Sequence, residues 1–255
     1  MYDQITRDRA LALIDNGISL RVTSQITGVS RATLKDWREH PNRSRRPADC
    51  VRCAPVPSLP EPQWEYAYLL GLYLGDGCIS ASGNPAKGVW LLRIACADAW
   101  PGLQAECRAA ISAIRPSNKV GTAQQVGCIQ VVCSWRHWPC LFPQHGPGKK
   151  HLRKIELAAW QQDIVDRVPG AFVRGLFHSD GCRVVNRVRQ PLASGNRSYE
   201  YPRYFFSNES TDIMGLCAQT LDQLGVNWRM ARPNLLSVAR RESVARMDEL
   251  VGPKY

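Results

Sequence analysis

The sequence predicts an α+β fold of two related halves behind a small all-α domain, and three observations carry that expectation. A ten-residue pattern recurs after 104 residues. Each copy continues in the same order of helix, strand, turn, strand and helix. Ahead of the first copy lies a short helical pattern, cut off from the rest by a stretch rich in arginine and proline.

Residues 1–41 form that all-α part. Ala10, Leu13 and Ile14 mark a first helix, Val22 and Ile26 a second, Leu34 and Trp37 a third. Between the last two lies Thr27-Gly28-Val29-Ser30, in which Gly28 suits a left-handed turn and Ser30 an N-cap. The third helix presents Arg31, Thr33, Lys35 and Arg38 around Leu34 and Trp37, the layout of a recognition helix entering the major groove. The segment GVSRATLKDW resembles the helix-turn-helix of resolvase and invertase DNA-binding domains, which implies duplex DNA as partner. A three-helix cap whose arginines serve only solubility is the plain alternative. The balance of 33 Lys and Arg against 22 Asp and Glu, a net +11, favours a phosphate-facing surface.

No run of about 18 apolar residues occurs, and the start lacks the basic-then-apolar layout of a signal peptide, so a cytoplasmic, nucleoid-associated protein is expected. The ten cysteines, scattered through apolar segments, are expected to be mostly buried, reduced thiols. Residues 42–63, with Arg43, Arg45, Arg46, Pro47, Pro55, Pro57, Pro60 and Pro62, read as a semi-rigid linker. Within it, Cys50-Val51-Arg52-Cys53 has the spacing of two thiolates on one zinc ion. Two more ligands would be needed. Cys133, His137, Cys140 and His145 are candidates that suit core or groove positions equally well.

The repeat divides the remainder into residues 64–160 and 161–255. Leu69-Leu70-Gly71-Leu72-Tyr73-Leu74-Gly75-Asp76-Gly77-Cys78 matches Val173-Arg174-Gly175-Leu176-Phe177-His178-Ser179-Asp180-Gly181-Cys182. Each copy continues through a Ser-Gly-Asn turn (82–84, 194–196), an apolar strand (89–96, 199–207) and an amphipathic helix (103–114, 211–224). The same offset of 104 separates Lys150 from Lys254 and Arg136 from Arg240, which argues for duplication rather than chance.

Gly71 and Gly75 lie one turn apart, as do Gly175 and Ser179, so these helices can approach until their backbones touch. Asp76 then meets Asp180. A carboxylate at a helix C-terminus faces the negative end of the dipole, and two converging there repel each other. A divalent cation removes both penalties, and oxygen-only ligands favour Mg²⁺ or a similar hard ion. Gly77 and Gly181 are expected as left-handed helix stops, and the turn Gly146-Pro147-Gly148 is expected to hold Lys149 and Lys150 at the surface. Arg183, Arg187, Arg189 and Arg203 fall on second-half strands, where one face can read bases while the other covers helices. Arg93, Arg136 and Arg240 join them as DNA-contact candidates.

The motifs LLGLYLGDG and VRGLFHSDG resemble the pair found in single-chain LAGLIDADG homing endonucleases, a resemblance that covers residues 64–255. It implies two αββαββα halves about a pseudo-twofold axis, antiparallel sheets forming a saddle on double-stranded DNA, and a monomer that cuts both strands at a specific site. It also implies that Asp76 and Asp180 hold Mg²⁺, that Lys150 and Lys254 lie by the scissile phosphates, and that Asn208 orders water near the metal; a turn or cap role for Asn208 stays open. Leu74 and His178 replace a position often acidic in the family, with packing expected for His178. A non-cleaving transcriptional regulator on the same fold is the rival reading. An RNA maturase is a further one, while protein splicing is not expected from the Gly252-Pro253-Lys254-Tyr255 ending.

Overall fold

The computed structural model describes residues 4–40, 50–53, 58–83, 88–192 and 195–255; the side chains of residues 4, 5, 188–192 and 195–198 are not among those described. Arg189 as a DNA contact, the turn positions Asn84 and Ser194, and the linker positions Arg43, Arg45, Arg46, Pro47, Pro55 and Pro57 therefore lie outside the described residues. The chain divides into two compact units, Met1–Ser58 and Leu59–Tyr255.

The first unit contains α1 (Gln4–Asp15), α2 (Leu20–Thr27) and α3 (Arg31–Glu39). Ala10, Val29 and Leu34 form its core, with Ile14, Leu20 and Trp37 packed against them. Gly28 adopts φ 69°, and its amide closes α2 on the Ser24 carbonyl. Ser30 then caps α3 by accepting the Thr33 amide. Val22 and Ile26, expected to face inward, are instead 42% and 47% exposed. The short α2 packs through Leu20 and Thr23, and the Thr23 carbonyl accepts the Thr27 hydroxyl at 2.6 Å. Cys50 is buried, and its sulfur accepts the Cys53 amide at 3.3 Å.

The second unit runs α4 (Gln63–Asp76), β1 (Gly77–Ala81), β2 (Trp90–Ala97), α5 (Pro101–Ile114), β3 (Val120–Gln125), β4 (Cys128–Trp135), α6 (Trp138–Leu141) and α7 (Ala159–Arg167). It continues with α8 (Pro169–Asp180), β5 (Gly181–Leu192), β6 (Gly195–Ser207), α9 (Thr211–Gln223), β7 (Arg229–Arg232), β8 (Leu235–Val238) and α10 (Arg241–Val251). Two antiparallel four-stranded sheets result, ordered β1-β2-β4-β3 and β5-β6-β8-β7. This is an α+β fold in which the order from α4 to α6 is repeated from α8 to α10, with α7 between the two halves. Alternation buries one face of each sheet: Leu92, Ile94 and Val131 in the first, Tyr204, Phe206, Leu236 and Val238 in the second. The other face is open.

Helices α4 and α8 lie at the centre. Every residue from Tyr66 to Leu74 of α4 is buried, so the helix is apolar all round rather than along one stripe. A Cβ on Gly71 would stand 2.5 Å from the Phe172 carbonyl oxygen, and one on Gly175 would overlap the Tyr68 carbonyl. The backbones of the two helices touch. Among the described residues no helix is long and apolar enough to cross a membrane.

All ten cysteines are free, but only Cys50, Cys96, Cys107, Cys133 and Cys217 are buried. Cys78 and Cys182 are exposed because each follows its motif glycine onto the open face of a sheet.

Gly71→Ala and Gly175→Ala meet immovable backbone, so each should cost about 2 kcal/mol or more, lowering Tm by roughly 4–8 °C. Gly215→Ala, in α9 with open space around the added methyl, should be neutral or slightly stabilising. Thermal denaturation of the three variants checks the contrast; equal losses would refute the close approach.

Candidate active site

Asp76 and Asp180 are the last residues of α4 and α8. The glycines behind them are not left-handed: Gly77 has φ −90°, ψ 151° and Gly181 φ −100°, ψ 160°, both extended. Their requirement is steric. A Cβ on Gly77 would sit 2.5 Å from the Tyr73 Cα, and one on Gly181 2.5 Å from Phe177 Cδ1. Glycine lets each helix pass directly into a strand, leaving the aspartate at the junction.

Surrounding protein raises the Asp76 carboxyl to about 6, repulsion from Asp180 adds to this, and Lys150 and Lys254 oppose it. Burial raises Asp180 as well, against the pull of Asn208, Lys150 and Lys254. Asn208 Nδ2 donates to Asp180 Oδ2 at 2.5 Å, while its Oδ1 accepts the Ser210 amide at 2.8 Å. It thus serves as turn residue and site residue together. In the first half, strand pairing places Cys96 where Asn208 stands, because Gly77 pairs with Ile94 as Gly181 pairs with Phe206. No hydrogen bond from a side chain reaches Asp76 among the described residues.

The lysines face the same helix ends. Lys150 Nζ donates to the carbonyls of Tyr73, Leu74 (3.0 Å) and Gly75 (2.8 Å), and Lys254 Nζ to that of Gly181 at 2.5 Å. Lys150 places a cation against the negative end of α4, and Lys254 places one at the residue that follows α8. Burial brings Lys150 down to about 8 and lowers Lys254, with both aspartates opposing. The surface position expected for this pair holds only for Lys149, which is exposed. Lys150 turns inward because a 3₁₀ turn, Lys150–Leu152, aims it at the free carbonyls of α4. Lys150, Asp180 and Asn208 line a groove of about 840 Å³ together with Tyr73, Cys78 and Arg153. Two charge-strained carboxylates at helix ends, reached by lysines rather than satisfied by them, fit a hard divalent cation.

A partly buried network holds the segment that carries Lys254, and it joins Arg174 and His178 of the second motif to partners that no motif marks. His178 lies between the Tyr68 hydroxyl and the Val251 carbonyl, at 2.9 Å from each. Burial brings its pKa to about 4, so the ring is neutral and Nε2–H donates to Val251 while Nδ1 accepts from Tyr68. Arg174 pairs with Glu106 at 2.9 Å and also donates to Val251. The Tyr255 hydroxyl reaches Glu106 at 3.2 Å, and the amides of Gly102 and Leu103 donate to its carbonyl. The packing expected for His178 is therefore a hydrogen-bonded one; Leu74 is simply buried.

The arginines divide by strand parity. Arg183 pairs across strands with the buried Tyr204, and its guanidinium takes Asp248 of α10 at 2.7 and 3.0 Å. It lies on the helix-covered side, against expectation, and Arg187 shares that alternation and binds Glu200 at 2.7 Å. Arg203 faces the open side, opposite Val184. Arg93 is also there, bonded to Ser80 at 2.8 Å. Arg136 is exposed beyond β4, and Arg240, at the start of α10, reaches Asn227 at 3.2 Å. In α3, Arg31, Lys35 and Arg38 are exposed, whereas Thr33 spends its hydroxyl on Ser30 at 2.8 Å. Of the further zinc-ligand candidates, burial pushes the Cys133 thiol up to about 11 and His145 packs edge-on to Trp90. His137 Nδ1 and Cys140 Sγ stand 3.9 Å apart.

Because the folded Asp76 holds its proton more tightly than its ordinary 3.8, its penalty is absent at low pH, grows as pH rises from about 4, and is complete above about 6. Solvent screening limits it to ~1 kcal/mol, so Asp76→Asn should raise Tm at pH 7 by about 2–4 °C and by nothing at pH 4. Millimolar Mg²⁺ should stabilise the native chain at pH 7 and leave an Asp76→Asn, Asp180→Asn double variant unmoved. Scanning calorimetry at both pH values reads these shifts; a lower Tm for Asp76→Asn at pH 7 would contradict the charge strain.

No protein-family model matches the sequence, and no curated protein matches it. Among solved structures, the chain is similar to the homing endonuclease I-DmoI in complex with DNA and Mn, at 14% identity and a TM-score of 0.46 over 76% of this chain and 99% of that one. It is similar to the LAGLIDADG meganuclease I-AabMI bound to uncleaved DNA, at 12% identity and a TM-score of 0.45 over 72% and 82%. It is likewise similar to the N-terminal LAGLIDADG domain of WhiA, at 11% identity and a TM-score of 0.45 over 76% and 83%.

Proposed function

We propose that this chain is a site-specific double-stranded DNA endonuclease of the LAGLIDADG homing type, hydrolysing phosphodiesters with Mg²⁺ or a similar cation at Asp76 and Asp180. One observation carries the reading: two duplicated helices meet backbone to backbone and bring two unneutralised carboxylates and two lysines to one place. A cation bound there supplies positive charge to the phosphate and makes water a better nucleophile. The protein's own part is to hold that site in order. Asn208 fixes the orientation of the Asp180 carboxylate, and Lys150, held on the carbonyls at the end of α4, would place a positive charge near the phosphate oxygens.

The open faces of the two sheets, with Arg93 and Arg203, would lie along the DNA, and residues 1–41 would extend the recognised site through Arg31, Lys35 and Arg38. Residues 42–63 would act as the tether. Cys50 and Cys53 are proposed to hold zinc, their shared turn already giving one sulfur an amide partner. The purified chain should then contain about one zinc per molecule, and Cys50→Ser should remove it; metal-free wild type would dismiss the pair as a ligand set.

Asp76→Asn or Asp180→Asn should lower Mg²⁺-dependent cleavage by roughly 100-fold or more, while DNA affinity changes little. The assay uses duplexes selected from a random library for binding in Ca²⁺ and then incubated with Mg²⁺. Unchanged cutting by both variants would remove these residues from the site. Selective binding with no cut strand in either Mg²⁺ or Mn²⁺ would instead identify a regulator built on the same fold.

A further inference from the structure

The open face of the second sheet carries a pocket separate from the aspartate groove. Its floor is β6, where Tyr201, Arg203 and Phe205 alternate onto one side. The Arg203 guanidinium carbon lies 5.4 Å from the Tyr201 ring centre and 5.3 Å from that of Phe205, so the side chain is held between two aromatic rings. Ser237 of β8 pairs across strands with Phe205. Tyr201, Arg203 and Ser237, with Asn227, Trp228 and Arg229, line a cavity of about 480 Å³.

Two polar atoms here are buried and have no hydrogen-bond partner, Arg203 Nε and Ser237 Oγ, and Ser237 is only 1% exposed. Other arginines of this half are engaged: Arg183 with Asp248, Arg187 with Glu200, Arg174 with Glu106. Leaving a buried donor and a buried hydroxyl unpaired is costly, and such atoms are completed by an ordered water or by a ligand from outside the chain.

We infer that Arg203 reads a guanine in the major groove, with this pocket as its seat; the inference rests on the proposal that the chain binds duplex DNA. Guanidinium offers only donors, in a rigid planar fork. Guanine presents two acceptors in one plane, N7 and O6, whereas adenine and cytosine each present an amino donor that an arginine cannot accept. The rings of Tyr201 and Phe205 restrict the rotamers of Arg203 beforehand, so little freedom is lost on binding. Arg229 and Arg240, at the exposed rim, are placed for the neighbouring phosphates.

The test is a selection of bound sites from a random duplex library, followed by titration of the chosen site with one guanine at a time replaced by 7-deazaguanine, which lacks the N7 acceptor. For the wild type, one replacement should weaken binding about 10- to 100-fold. Arg203→Ala should be insensitive to that same replacement and should accept any base at that position. Tyr201→Leu, which removes one stacking ring and keeps the guanidinium, should retain the guanine preference at a smaller ratio. The inference is overturned if Arg203→Ala selects the wild-type profile, or if it weakens all sequences equally and reduces the salt slope by about one, the signature of a phosphate contact. Wild type that binds no duplex above background overturns the DNA-binding proposal itself, an outcome distinct from either.

Discussion

The second unit depends on one contact, the approach of α4 and α8 until backbone meets backbone. Gly71 abuts the Phe172 carbonyl and Gly175 the Tyr68 carbonyl, with Gly75 against Ser179 below them. At Gly71 and Gly175 no side chain intervenes, so the relative position of the two halves is set there by main-chain atoms, which cannot repack as a leucine interface can. Each helix ends where this contact ends. The strands of both sheets start at the next residue, Gly77 or Gly181, so the close approach also sets where the two open faces begin.

The same contact creates the electrostatic cost at the site. Two carboxylates and two helix C-termini are negative, and they converge at helix ends where Asp180 is half-buried and Asp76 is still reached by water. The lysines reduce that cost by bonding main-chain carbonyls, those at the end of α4 and that of Gly181 just beyond α8, rather than the carboxylates. That arrangement leaves the aspartate oxygens unclaimed, apart from the single Asn208 contact. A fold selected for stability alone could have paired each lysine with an aspartate. Here the cations sit close enough to lower the repulsion and remain separate enough to leave the carboxylate oxygens free of ion pairs with them.

What was legible in the sequence was whatever repeated or capped. The offset of 104 exposed both aspartates and both lysines, and the small residues one turn apart announced the helix contact. Other features misled for identifiable reasons. Gly77 looks like a left-handed stop because that is the common use of glycine after a helix, yet its demand here comes from Tyr73 one turn back. Arg183 and Arg203 differ in parity, but parity does not say which face is covered; that depends on Asp248 of α10, 65 residues away. The link from Arg174 to Glu106 and Tyr255 joins residues far apart along the chain and has no local pattern to reveal it. Cys96 and Asn208 escape comparison because the hairpins differ in length, so the fixed offset fails between them.

That last mismatch bears on how alike the two halves are in chemistry. Duplication preserved the residues whose replacement would separate the helices or empty the site, and it relaxed the support around them. Asp180 has an amide donor and shares a groove with Lys150, whereas Asp76 has a buried thiol in the corresponding place. Lys150 is held by three carbonyls and Lys254 by one, its place secured instead by the network of His178, Arg174 and Glu106 on the final residues. Equal geometry at the helix ends therefore coexists with unequal surroundings. Main-chain contact tolerates almost no variation, whereas the polar shell needs only to supply the right charge, which different residues can do.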